Sequence, residues 1–60
     1  MNNLTEEQRE LLAEVWVQLL ESYNRTRIND IVTNTYIDKA MSLLQNFEIS
    51  AEIDKVIGNE

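Results

Sequence analysis

Apolar residues along this chain recur at helical rather than strand spacing. Leu12, Val15, Trp16, Leu19 and Tyr23 occupy one broad arc at about 100° per residue. The opposite side carries Glu7, Glu10, Glu14 and Glu21 in a stripe, with Val17 set among them. Thr5 is placed to cap this helix, and Gln8 three residues on completes a capping box. Glu6 and Glu7 in the first turn suit the positive end of the helix dipole. Glu21 and Arg25 form an i,i+4 pair in the favoured order. Arg25 and Arg27 suit a helix C-terminus, so the first helix is predicted to end at residue 24 or 25.

A second apolar series follows at Ile28, Val32, Tyr36, Ala40, Leu43, Leu44 and Phe47, flanked by Ile37 and Met41. Asn34, Asp38, Ser42 and Gln45 take the other side. Asn29 and Asp30 are a suitable start, with Ile28 just outside. Residues 31–37 are β-branched and aromatic, a composition that favours a strand. No second strand is available to pair with it, and the helical spacing runs through it, so the segment is read as helix. Neither Gly nor Pro interrupts the chain before Gly58. One continuous helix over 6–47 is nevertheless excluded, because the two arcs are offset by roughly a third of a turn. A turn near residues 24–29 instead gives an αα-hairpin. Ser50 as cap, Ile53, Val56 and Ile57 as contacts and Gly58 as terminator predict a short third helix. At about two turns it is too short to stand alone and must rest on the hairpin or on a second subunit.

The expected fold is therefore all-α, one domain over residues 1–60, a helical hairpin plus a short C-terminal helix. So small a domain buries only about 60% of the surface its unfolded chain exposes. Small domains compensate with disulfides, metals or self-association. The sequence has no Cys and no His, which removes disulfides and zinc sites of the usual ligands. A homodimer is the remaining remedy, expected as a four-helix-bundle-like assembly packed through Leu12, Trp16, Leu19, Val32, Tyr36, Leu43 and Phe47. If the hairpin left apolar surface uncovered, Ile31, Ile37 and Met41 would be its place.

Charge narrows the function. The net charge is −6, divided as −4 over residues 1–23, +1 over 24–47 and −3 over 48–60. Phosphate backbones and anionic membranes repel such a chain, so neither direct nucleic-acid binding nor membrane binding is expected. Helix 2 holds only Lys39 within its body, too little for a DNA-reading helix. No apolar run approaches the roughly 18 residues of a membrane span. The first residues show no signal-peptide pattern, and the absence of Cys fits a reducing cytoplasm. With no His or Cys as base or nucleophile, and no shielded carboxylate pair, no catalytic residue, metal site or cofactor is expected. Oxygen-ligand metal loops are missing too.

What remains is binding. The expected function is a small acidic cytoplasmic protein–protein interaction module, a regulator or inhibitor docking on a larger protein with a basic surface. Glu7, Glu10, Glu14, Val17 and Glu21 are the candidate docking residues. Glu10 and Glu14 are like charges at i,i+4, which costs a few tenths of a kcal/mol, and Val17 among acids resembles a contact hot spot. Two alternatives have different marks. An acidic mimic of nucleic acid would occupy a basic groove and be sensitive to salt. A structural subunit would instead complete a larger assembly through apolar surface.

Overall fold

A computed structural model describes residues 3–59; Met1, Asn2 and Glu60, which enter the charge and leader readings above, lie outside the described residues. The chain forms three helices, α1 (Glu6–Asn29), α2 (Ile31–Gln45) and α3 (Ser50–Gly58). No strand occurs among the described residues.

The capping box forms as the sequence implies: Gln8 N–H donates to Thr5 Oγ1 at 3.1 Å, and Thr5 N–H donates to Gln8 Oε1 at 3.0 Å. The other end of α1 differs from expectation. Residues 24–29 are helical, and the reversal is confined to Asp30, with φ −148° and ψ 84°. Asp30 serves both helices. Its backbone N–H bonds to Thr26 O, closing α1, while its carboxylate accepts from Thr33 N–H and Thr33 Oγ1, opening α2. Arg25 and Arg27 thus precede the true end, because a side chain that caps the next helix outweighs weak C-terminal charge preference. Among the described residues Glu21 and Arg25 make no ion pair. The β-branched stretch 31–37 is helical throughout.

α2 stops at Gln45, two residues before Phe47, and Glu48 takes a left-handed conformation with φ 57°. That turn carries the chain back to α1, where the Arg9 guanidinium donates to the Glu48 carbonyl. Ser50 is not the cap of α3. Ile49 occupies that position with no side-chain bond, and Ser50 Oγ reaches Gln45 Oε1 instead. Gly58 is the last helical residue but is not left-handed.

α1 packs against both other helices: α2 returns along it as a hairpin, and α3 lies on its N-terminal half. The buried cluster is Ala13, Val17, Ile49 and Ile53, with Leu12, Trp16, Leu44 and Val56 packed against it. Several expectations are corrected here. Val17, expected on the outer acidic face, is 3% exposed in the core. Leu12, Trp16 and Leu19 are only half-buried, and Val15 is exposed. Val32, Tyr36, Leu43 and Phe47, expected in the dimer contact, are exposed on the single chain, whereas Met41, expected at an uncovered patch, is buried, and Ile37 beside it is half-buried. The cause is α3: it takes the Ala13–Val17 side of α1, so α1 has two neighbours where the single-arc reading assumed one. Ala13 at that crossing permits close approach of the backbones.

Candidate interaction surface

Hydrogen bonds fix which side of α1 each neighbour takes. Asn34 Nδ2 on α2 donates to Tyr23 O at 2.8 Å and to Thr26 Oγ1 at 3.2 Å. On the α3 side, Arg9 Nε reaches Glu52 Oε2 at 3.3 Å and Lys55 Nζ reaches Glu10 Oε2 at 3.0 Å. Counted at about 100° per residue, these two sides of α1 lie about 120° apart. A third side remains uncovered, and it has two halves. Next to α2 run Leu4, Leu11 and Val15; next to α3 run Glu7, Glu14 and Glu21.

The acidic half is narrower than the predicted stripe. Glu10 is drawn into the fold by Lys55, whose ammonium that hydrogen bond holds above its ordinary pKa. Val17 lies beneath, lining with Glu14, Gln18, Val56 and Asn59 a hollow of about 260 Å³ between α1 and α3. Glu7, Glu14 and Glu21 stay exposed, and none has an ion-pair partner among the described residues. Seven residues apart, they stand in line at intervals of about 10.5 Å.

The apolar half is broader. Leu11 is 57% and Val15 49% exposed, and a trough of about 300 Å³ runs along Leu4, Gln8, Leu11, Leu12 and Val15. On α2, the side turned to α1 presents Asn34, Ile37, Met41 and Leu44. Val32, Tyr36 and Leu43, between 65% and 68% exposed, fall outside it. Because the hairpin helices are antiparallel and right-handed, these three turn to the same side as Leu11 and Val15, away from α3. The hairpin therefore has one face covered by α3 and one apolar face left open.

Arg9, Glu52 and Lys55, the polar ties between α1 and α3, were not singled out by periodicity. Their signal was a second arc, Ala13, Val17 and Leu20 at i, i+4 and i+7, with the cation Arg9 one turn before it. The Trp16 indole N–H is enclosed with no hydrogen-bond partner among the described residues, as is the second Glu52 carboxylate oxygen. No three carboxylates converge on a metal-sized space among the described residues, and no described helix is long and apolar enough to cross a membrane. The chain matches no family model, no curated protein and no solved structure.

Proposed function

We propose that this chain is a small protein–protein interaction module of the cytoplasm, a regulator or inhibitor that works by docking on a larger protein and not by catalysis. Its working form is a homodimer resembling a four-helix bundle. The observation that carries the docking role is the unpaired row of Glu7, Glu14 and Glu21. The fold takes up Glu10 and Glu52 with Lys55 and Arg9, yet leaves these three acids aligned on one edge of α1. A row of that kind suits a partner with spaced basic side chains.

The row also favours a protein over nucleic-acid mimicry. Its interval of about 10.5 Å is sparse beside duplex DNA, which carries a charge about every 3.4 Å along each strand. Three acids offer few surrogates for so dense a lattice.

The test is capture from source-cell lysate by the parent chain and by the triple variant Glu7→Gln, Glu14→Gln, Glu21→Gln. All three residues are exposed, so the variant should keep its helicity. A partner retained by the parent and lost by the variant supports the reading. Equal capture by both refutes it, and competition by duplex DNA at low salt would bring the mimic back to the front.

A further inference from the structure

We infer that a second copy of this chain covers the open apolar face, with Leu11, Val15, Val32, Tyr36 and Leu43 at the centre of the contact. The inference rests on the dimeric reading above and names the surface that makes it. Surface area is the first reason. The chain exposes 4582 Å², against about 4,000 Å² expected for a folded monomer of its 7.0 kDa mass. The excess, on the order of 500 Å², approaches the roughly 800 Å² each partner contributes to a standard interface.

Shape gives the second reason. The Cα trace measures 36 × 28 × 12 Å, and its short dimension fits at most two helices in depth. Only Ala13, Val17, Met41, Ile49 and Ile53 are buried among the described residues. The radius of gyration, 12.1 Å, exceeds the roughly 10 Å of a compact chain of this length. A second hairpin laid on the open face supplies the missing layer and leaves one α3 on each outer side.

Charge selects the occupant. At −6 per chain, two copies repel wherever acids meet. None of Leu11, Val15, Val32, Tyr36 and Leu43 is charged; Glu7, Glu14 and Glu21 border the band along α1, Asp38 shares a hollow with Leu43 on α2, and Glu48, Glu52 and Asp54 lie on or beside α3. A basic partner finds countercharge along the edges of the band but none at its centre. A second copy offers the same uncharged apolar band, and a twofold axis makes one such patch complementary to itself.

Sedimentation equilibrium of the full chain across a dilution series tests this directly. The parent should show about twice 7.0 kDa, and Tyr36→Glu with Leu43→Glu should reduce it to 7.0 kDa. Ile57→Glu, on an exposed apolar residue of α3 outside the band, should leave the doubled mass intact. A monomeric parent overturns the inference, and so does a dimer that survives the double change. Should the double variant unfold, methyl NMR of the unsubstituted chain decides. On dilution the signals of Leu11, Val15, Val32 and Leu43 should shift while those of Val17 and Ile53 hold; the reverse pattern overturns the proposed face. The Glu7, Glu14, Glu21 variant should remain dimeric, so failure of self-association and failure of partner docking are read separately.

Discussion

Arg9 Nε donates to Glu52 Oε2 at 3.3 Å, joining the first turn of α1 to the first turn of α3 across 43 residues of chain. One step further along both helices, Lys55 reaches Glu10. These two pairs flank the contact of Ile49 and Ile53 with Ala13 and Val17. Neither pair sets the stability of the core, since the exposed Lys55–Glu10 pair contributes little and the half-buried Arg9–Glu52 pair offsets its attraction against desolvation. They fix the alignment of a short helix that the apolar contact alone leaves free to slide.

The pairs predict how α3 responds to pH. The hydrogen bond from Arg9, with a smaller contribution from the backbone N–H, holds the Glu52 carboxyl below its ordinary value of 4.5. Its contribution is therefore complete above pH 4.5 and is lost as pH falls through the lower folded value. Lys55 is raised above 10.5 by Glu10, so its contribution is complete below pH 10.5 and lost as pH rises through the higher folded value. Methyl NMR of Ile53 should report loosening of α3 at both extremes. Glu52→Gln should flatten the acid limb alone, and Lys55→Met the alkaline limb alone.

Val17 carries the second prediction. As a buried side chain it tolerates no charge, so Val17→Asp should unfold the chain, at a cost of about 3 kcal/mol or more. A fold of this length holds only about 3–9 kcal/mol in total. Val17→Ala should keep the fold and cost about 2 kcal/mol. Urea unfolding followed by Trp16 fluorescence distinguishes the cases. An Asp variant with the parent's midpoint would return Val17 to the surface, where periodicity alone had placed it.

That displacement shows what a helical wheel can and cannot read. Two caps were legible because they are local: Thr5 with Gln8, and Asp30 ahead of Thr33, bond within one turn; the third was misplaced, since Ile49 and not Ser50 holds that position. The helicity of residues 31–37 was legible too, since their spacing continued through a stretch of opposing propensity. The side of α1 that α3 covers was not. Leu12, Val15, Trp16, Leu19 and Tyr23 outweigh Ala13 and Val17 in bulk, so the arc centred on the larger residues. Burial followed the smaller pair because Ala13 lets α3 come close. Val32, Tyr36 and Leu43 are apolar at helical spacing yet lie on the open side of α2, so spacing alone did not tell them from the residues turned to α1.

Glu48 gives a third prediction. Its φ of 57° lies where a Cβ crowds the backbone and glycine does not. What the turn needs from this residue is its carbonyl, which accepts from Arg9. Glu48→Gly keeps that carbonyl and should stabilise the chain by about 0.5–1 kcal/mol, relief of strain exceeding the added entropy of the unfolded state. Glu48→Val should destabilise it, because branching at Cβ worsens the crowding. The urea midpoints should rank Gly above Glu above Val with unchanged slopes.

The hairpin itself is locked by Asn34, whose amide nitrogen donates to Tyr23 O at 2.8 Å and Thr26 Oγ1 at 3.2 Å. It is a half-buried polar residue on the side of α2 turned to α1, and both acceptors lie near the end of α1. Asn34→Ala loses those bonds and should cost about 1 kcal/mol. Asn34→Asp is nearly the same shape but turns a carboxylate oxygen toward a carbonyl, so it should cost more than Ala at neutral pH. Protonation restores a donor. The Asp variant should therefore recover on the Ala variant as pH falls below the ordinary carboxylate range of about 4. Parallel thermal melts at neutral and acid pH read the crossing, and an Asp variant at least as stable as Ala at neutral pH would show that Asn34 acts there as a space-filler and not as a donor.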